Sequence, residues 1–235
     1  REIVMWCPSC IYFYDEVNGI LWQEALNGRP IAKDRDQRTR LAETANEIGA
    51  RLAAFHGAGL RLPIEMTREF MLGLIVRSMP IIGPTFTAHA ARCTAIAARL
   101  LEAGAALPPA PLATVHGSFK LSHVLATPRG IAFIAFDGAN RGDAACDIGR
   151  FVAHVVGMEV KGKLPADEAQ RIVKSFTTAY RRAAAAAVAP ERTQCAAAVW
   201  LLTGTIDKSV KRLDATEIEA FAAAAERLIP GEAGA

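Results

Sequence analysis

Apolar residues recur at two different spacings along this chain, and the change of spacing separates a short β-rich start from a long helical body. Within residues 1–30, aromatic and β-branched residues flank an Asn18-Gly19 turn signal, which predicts an antiparallel β-hairpin. Between residues 34 and 57, apolar residues recur every three or four positions, and this predicts an amphipathic helix that ends at Gly57.

More helices are predicted wherever proline, acidic residues or glycine mark the ends of an apolar repeat. These helices cover about residues 64–79, 85–103, 148–156 and 165–187. A further helix begins at Pro190, and the last helix begins at a capping box formed by residues 214–217. Residues 112–137 are expected to form the one β segment of the second half, around a Thr127-Pro128-Arg129-Gly130 turn. The order of elements predicts an α+β fold that is mostly helical.

Composition and charge mainly exclude functions. The 235 residues are 51% hydrophobic and 22% charged, which predicts a packed core and no extended disorder. A net charge of +3 is too small to indicate a nucleic-acid partner. We expect no membrane span, because the sequence lacks a long apolar run, and no signal peptide, because the N-terminus lacks a charged region followed by an apolar block. The chain begins at Arg1 without an initiator methionine, so we expect a fragment or a processed product.

The five cysteines are odd in number and scattered, which favours reduced thiols and a cytoplasmic location. Cys7 and Cys10 form a C-x-x-C string, but a β-hairpin pattern follows it where a redox motif would open a helix. We therefore interpret both thiols as structural, and a thiol redox protein that uses Cys7 and Cys10 stays as a minor alternative.

The chemistry concentrates in residues 115–147, which read VHGSFKLSHVLATPRGIAFIAFDGANRGDAACD. This segment resembles the catalytic centre of the aminoglycoside phosphotransferase and choline kinase-like family, which shares the protein-kinase fold. Members typically carry HGD-x-x-x-x-N, then a hairpin, then IDFD or IDFG, then GDP-x-x-D-L. Here His116-Gly117 is kept, whereas Ser118 replaces the catalytic aspartate, His123 the metal-binding asparagine and Ala135 the metal-binding aspartate.

The resemblance implies catalytic positions at Ser118 and His116, and metal positions at His123 and Asp137. A serine hydroxyl is already protonated at neutral pH and cannot replace an aspartate as the base for the acceptor hydroxyl. Imidazole suits zinc better than magnesium, and Ala135 has no ligand atom. Asp137 is a surrogate ligand only if the backbone bends, because on an extended strand it lies about 6.5 Å beyond Ala135.

The resemblance also implies ATP and magnesium as cofactors and divides the chain into two parts. Residues 1–30 correspond to the end of an N-lobe and its hinge, and residues 31–235 to a helical C-lobe with a catalytic-loop hairpin at about 112–137. The phosphate loop and its lysine strand would precede Arg1. The nucleotide is expected to contact residues of the hinge and of the later hairpin: Gln23, Glu24, Ala25, Leu26, Leu125 and Ile134.

Two trailing acids, Asp143 and Asp147, match the last part of the family pattern. Asp147 is expected to brace the catalytic loop and to cap the following helix. No spacing among the histidines is typical of a zinc centre. An acidic pocket for a cationic aminoglycoside would need clustered carboxylates, and the tail acids Asp207, Asp214, Glu217 and Glu219 do not indicate such a cluster.

These residues leave three functions open. The first is a family member related to ATP-dependent phosphorylation of a small hydroxylated molecule, either catalytically weakened or a pseudokinase. The second is a non-catalytic module that binds a metabolite or a protein, and the third is the thiol redox protein. The expected partner is a small molecule or a nucleotide, with no nucleic acid and no membrane. The acceptor, the oligomeric state and whether the chain is an enzyme cannot be read from the sequence.

Overall fold

The computed structural model describes residues 11–15, 17, 20–23, 25–32, 41–62 and 65–231, and for 11–15 and 20–23 it describes the backbone. The helices in these ranges are α1 (Leu41–His56), α2 (Arg68–Thr85), α3 (Thr87–Ala106), α4 (Ala145–Val160), α5 (Ala166–Ala183), α6 (Pro190–Arg212) and α7 (Ile218–Glu226). The predicted α+β class with a mostly helical body is therefore confirmed. No helix in the described ranges is long and apolar enough to cross a membrane.

The strands form three small sheets. They are β1 (Ile11–Asp15), β2 (Ile20–Gln23), β3 (Arg29–Pro30), β4 (Glu65–Met66), β5 (Leu112–Val115), β6 (Val124–Thr127), β7 (Gly130–Phe133) and β8 (Asn140–Asp143). β1 pairs with β2 and β6 with β7, both antiparallel, and β3 adds to the free edge of β6. In the third sheet β8 lies between β5, which is antiparallel to it, and β4, which is parallel.

Three local expectations were wrong. α2 continues through Pro80 and Pro84 to Thr85, because packing of Ile82 into the core outweighs the backbone hydrogen bonds that proline removes. The β4 and β8 strands fell outside the predicted β segment. The proposed capping box at 214–217 does not form, since Asp214 instead accepts a hydrogen bond from the Thr216 N–H and the helix begins at Ile218.

The core has two parts that meet along α4. The larger part lies among α2, α3, α4, α6 and α7 and is rich in alanine, which lets these helices approach closely. The second part contains a column of phenylalanine rings from the loop after β5, from β7, from α4 and from α5: Phe119, Phe133, Phe151 and Phe176. Phe119 belongs to the segment that resembles a catalytic loop, so this column anchors the loop to the helical body.

α1 and α5 make the closest helix pair in this half of the molecule, and Gly49 permits it. A Cβ on Gly49 would lie 2.3 Å from the main-chain carbonyl oxygen of Phe176. Tyr180, one turn further along α5, then reaches His56 at the end of α1, which begins the polar network under the candidate site.

Candidate functional site

A buried carboxylate fixes the loop at residues 116–123. Asp147 accepts hydrogen bonds from the N–H groups of His116 (2.6 Å) and Gly117 (3.0 Å), and lies 3.1 Å from His56 Nε2. The Tyr180 hydroxyl lies 2.8 Å from His56 Nδ1 on the other side of the ring. Burial alone would raise the pKa of Asp147, but the bonds from His56 and the loop lower it below its usual value. The carboxylate therefore stays charged and holds the loop in place.

Asp147 braces the catalytic loop as expected, but the expectation that it caps the following helix was wrong. The helix begins at Ala145 with Ala144 at its cap position, so Asp147 lies inside the first turn and does not cap it. The carboxylate turns inward because its partners are the loop N–H groups. Asp143 is also buried, where its carboxylate accepts from Ala145 N and pairs with Arg192 at 2.7 Å.

Gly117 brings the loop against the turn that follows β7. Its φ of +76° lies in the left-handed region, and a Cβ there would lie 2.0 Å from the carbonyl oxygen of Gly138. The close approach places Ser118 beside Ala135, with 3.5 Å between the serine hydroxyl and the alanine carbonyl oxygen. The two segments that the family pattern joins are therefore in contact.

Ser118 faces two imidazoles. Its Oγ lies 3.4 Å from Nδ1 of His116 and 3.3 Å from Nδ1 of His123, and the two rings stack with centroids 5.8 Å apart. His116 Nε2 is 2.9 Å from the Ile134 carbonyl oxygen, which can only accept, so this nitrogen carries the proton and Nδ1 presents a lone pair to Ser118. These contacts are longer than ordinary hydrogen bonds to a hydroxyl. The expected catalytic residues His116 and Ser118 therefore lie together, without a carboxylate at Ser118.

The charge state of His123 follows from its surroundings. Burial lowers its pKa to about 4, and the positive charge of Lys120 adds to the effect. At pH 7 the ring is neutral, and one of its nitrogens can accept a proton. It is nevertheless a weak base, because the same surroundings oppose a positive charge on the ring.

The residues expected to hold magnesium are an imidazole, His123, and a carboxylate, Asp137. β7 ends at Phe133, Ala135 is left-handed (φ 66°, ψ 55°) and Asp137 is exposed in a short 3₁₀ turn, so the backbone bends before Asp137, and its role as a surrogate ligand stays a prediction. His123 supplies nitrogen where magnesium prefers oxygen. Within the described ranges, no three histidine, cysteine, aspartate or glutamate side chains come together in a way that could hold a metal ion.

Some of the residues expected to contact the nucleotide lie next to each other. Gln23 ends β2, and Ala25 and Leu26 follow in the segment that leads into β3. β3 pairs with β6 at Leu125, and the Ile134 N–H donates to the His123 carbonyl oxygen at 3.0 Å. Glu24 lies outside the described residues, as do Cys7 and Cys10. That these residues contact the nucleotide stays a prediction.

A cavity of about 650 Å³ lies beside the loop, between α4 and α6. We call it the basic cavity, because five basic side chains and one acidic side chain line it: Lys120, Arg150, Lys161, Lys163 and Lys208, with Asp207. Leu74, Trp200, Leu201 and Phe221 provide apolar wall. Lys120 is two residues from Ser118, so the cavity adjoins the candidate catalytic loop.

The pKa shifts of the titratable groups in the basic cavity reflect a positive electrostatic potential there. Burial lowers the pKa of His154 to about 4, and Lys208 and Lys120 lower it further. The pKa of Lys208 is lowered by burial and then by Lys161, although Glu217 opposes this shift. The pKa of Lys120 is lowered by burial and then by Arg150. Each group therefore has cations as neighbours in a partly dry site.

Arg150 connects the basic cavity to the loop. Its Nη1 donates to the Gly117 carbonyl oxygen at 3.1 Å, and its guanidinium carbon lies 4.1 Å from the centre of the Trp200 ring. The Trp200 N–H donates to the Cys146 carbonyl oxygen at 3.2 Å, which fixes the ring. The arginine thereby forms a rigid wall shared by the loop and the cavity.

The sequence interpretation missed this cavity, although part of its signal was present. Arg150 and His154 on α4 and Lys161 at its C-cap are spaced by four and seven residues, which places them on one side of the helix. Lys208 comes from α6, 47 residues beyond Lys161, and no local pattern joins the two helices. A basic stripe on an otherwise apolar helix was therefore the available signal.

The comparisons agree with this architecture. The profile of the phosphotransferase enzyme family matches residues 5–197. A choline/ethanolamine kinase family protein from Mesorhizobium loti has a TM-score of 0.62 and 15% identity, over 94% of this chain and 78% of that one. Glucosamine kinase has a TM-score of 0.64 and 20% identity, over 88% of this chain and 62% of that one. Choline kinase LicA from Streptococcus pneumoniae has a TM-score of 0.56 and 13% identity, over 93% and 73%.

At these identities the structural matches establish a common fold. No curated protein matches the sequence significantly. This chain spans less than two thirds of the glucosamine kinase chain and more than two thirds of the two choline-related chains.

Proposed function

The chain belongs to the phosphotransferase enzyme family, and we propose that it is a non-phosphorylating member, a pseudokinase that binds a small molecule in the basic cavity. The observation that carries the proposal is the setting of Ser118. Two imidazoles face its hydroxyl, at 3.3 Å and 3.4 Å, at the position where the family pattern has a carboxylate.

Phosphoryl transfer depends on positioning, charge stabilisation and a base for the attacking hydroxyl. In this chain the Ser118 hydroxyl can donate to or accept from a ligand hydroxyl, and Nδ1 of His116 lies 3.4 Å from it. His123 is the remaining group that could take a proton, and its pKa of about 4 makes it a poor base at pH 7. The loop is therefore suited to hold a hydroxylated ligand, with little capacity to activate it.

The proposal about cofactors also rests on the substituted residues of the family pattern. A solved glucosamine kinase contains ADP, inorganic phosphate and glucosamine. In this chain we propose weak binding of ATP, because Ala135 supplies no oxygen and His123 supplies nitrogen at the positions that would hold magnesium. We also propose a cytoplasmic location, because the cysteines in the described ranges, Cys93, Cys146 and Cys195, are free thiols.

The first test measures phosphate transfer. The chain is incubated with magnesium, radiolabelled ATP and choline, glucosamine, glucose or streptomycin, and labelled product is counted. We expect no product above the background without protein. Turnover that Ser118→Ala removes and Ser122→Ala retains would refute the proposal, because Ser122 is a half-buried serine of the same loop without the histidine contacts.

The second test restores the family residues. Wild type should show almost no magnesium-dependent rise in melting temperature at millimolar ATP, since stabilisation grows as RT ln(1 + [L]/Kd). With any native residues that precede Arg1 included, the triple variant Ser118→Asp, His123→Asn, Ala135→Asp should recover magnesium-dependent stabilisation, and the single variants little, because residues that act as a unit are not additive. A strong magnesium-dependent rise in wild type would count against the proposal.

A further inference from the structure

We propose that the ligand of the basic cavity is a small hydroxylated molecule with an anionic group, a phosphate ester or a carboxylate, and not a cation such as choline or an aminoglycoside. This inference rests on the proposed function, in which the cavity holds a ligand without phosphorylating it.

The acids near the basic cavity are already paired. Asp207 is its one acidic lining residue, and its carboxylate lies 2.8 Å from the ammonium of Lys211. Lys161 lies 2.7 Å from both carboxylate oxygens of Glu217. The two acids of the tail that come nearest to the cavity therefore add little negative potential inside it.

The basic groups are less completely paired. Within the described ranges, neither Lys120 nor Lys208 has a carboxylate at ion-pair distance. Asp137 and Glu217 raise the pKa of Lys120 and Lys208 respectively, but burial and the cationic neighbours outweigh them. Two ammonium groups thus face a cavity without a direct counterion, and a phosphate or carboxylate between them would supply both hydrogen bonds and charge.

The rest of the wall fits the hydroxylated part of such a ligand. The volume of about 650 Å³ lies within the usual range for small-molecule sites. Trp200, Leu201 and Phe221 offer apolar surface for the C–H faces of a sugar or polyol, and the wall residue Lys120 belongs to the same loop as Ser118. A ligand with one charged end and several hydroxyls would therefore satisfy both kinds of surface.

A cationic ligand would be repelled by the basic side chains of the cavity. A solved glucosamine kinase binds glucosamine, which carries an ammonium group at neutral pH. In this chain the same ammonium would lie among five basic side chains in a partly dry cavity, where like charges repel most strongly. The charge of a ligand therefore decides whether it binds in this cavity more strongly than its shape does.

The test is isothermal titration calorimetry without nucleotide, using four six-carbon compounds that differ in charge. Glucose 6-phosphate and gluconate are anions, glucose is neutral and glucosamine is a cation. We expect measurable binding of at least one anion, no binding of glucosamine, and weaker anion binding at high salt. Inorganic phosphate is the fifth ligand, and it should bind more weakly than the better anionic sugar.

Two cavity variants and one control locate the site. Lys120→Gln and Lys208→Gln should each weaken anion binding at least about tenfold, the loss expected for one charge-assisted hydrogen bond. Lys174→Gln, on the exposed side of α5 and away from the cavity, should leave binding unchanged. Circular dichroism checks that each variant is folded.

Four results would overturn the inference: no binding of either anionic sugar, equal binding of glucose, glucosamine and the anions, unchanged binding in both cavity variants, or binding of inorganic phosphate as tight as that of the better anionic sugar. The phosphate-transfer assay, repeated with glucose 6-phosphate and gluconate as acceptors, keeps this inference separate from the proposed function. If the anion binds and is phosphorylated, the proposed function fails and the inference stands. If no anion binds and no product forms, the inference alone fails.

Discussion

His154 should make this protein acid-sensitive, and replacing it with glutamine should reduce that sensitivity by the share that His154 contributes. The imidazole lies on α4 in the basic cavity, where burial and then the charge of Lys208 lower its pKa from 6.5 to about 4. A lowered pKa means that the unfolded chain binds a proton more readily than the folded protein. Stability is therefore intact above the unfolded pKa of 6.5 and is lost as the pH falls from there toward about 4.

The magnitude follows from the two pKa values. At pH 5 an unfolded histidine is almost fully protonated, whereas a folded histidine with a pKa near 4 is mostly neutral. The difference in proton binding lowers the free energy of unfolding by about 2 kcal/mol between pH 7.5 and pH 5. His123, whose pKa is also lowered to about 4, and Asp147 add to the acid sensitivity of wild type. The contribution of His154 is therefore the difference between wild type and His154→Gln in how the free energy of unfolding changes with pH.

The assay is urea unfolding of wild type and His154→Gln at pH 7.5 and at pH 5. The comparison at pH 7.5 measures any loss of packing, and the additional difference at pH 5 measures the proton. We expect His154→Gln to gain about 2 kcal/mol on wild type over this interval. An NMR titration adds an independent check, in which Lys208→Gln should raise the pKa of His154. Parallel pH profiles of the two proteins, or a His154 that titrates near 6.5, would refute the reasoning.

Three further predictions concern the scaffold, each measured by urea unfolding at pH 7.5. Gly49→Ala should cost at least about 2 kcal/mol, because its Cβ meets a main-chain carbonyl of α5, while Gly204→Ala, a helix position with free space, should gain about 0.5–1 kcal/mol. The reasoning on close approach fails if both glycines respond alike. Asp147→Asn should cost about 3 kcal/mol, since it removes the charge that the loop N–H groups face. A loss below about 1 kcal/mol would show that the carboxylate does not hold the loop. Arg192→Met should cost about 3–5 kcal/mol, and adding Asp143→Asn should recover part of this loss. No recovery in the double variant would mean that the pair is not coupled.

Much of the fold was accessible from the sequence because it rests on local periodicity. The repeat of apolar residues predicted α1, and the Pro-Gly turn correctly placed a β-hairpin, β6–β7, within the β segment predicted at 112–137. The parallel pair of β4 and β8 was not accessible, since each strand is short and 75 residues separate their first positions. The length of α2 was misjudged because proline was taken as a stop, and tertiary burial of Ile82 decided otherwise.

Part of the candidate site could likewise be predicted from the sequence, and part could not. The family pattern identified the loop at Ser118 because its residues are close in sequence. It could not identify the imidazole pair around Ser118, since this depends on the bend at Ala135 and on the left-handed Gly117. The basic cavity joins Lys120 to Lys208 across 88 positions, and its charge became visible only once α4 and α6 were placed side by side.

The left-handed backbone of Ala135 has a consequence for how reversible the changes in this site are. Among residues with a side chain, aspartate and asparagine adopt this conformation more readily than alanine. The backbone at Ala135 therefore keeps a shape that favours the residue type the family has there, and a return to aspartate would meet no backbone barrier. Evolution or design could regain a carboxylate at this position by a single substitution, with the main chain already in place to receive it.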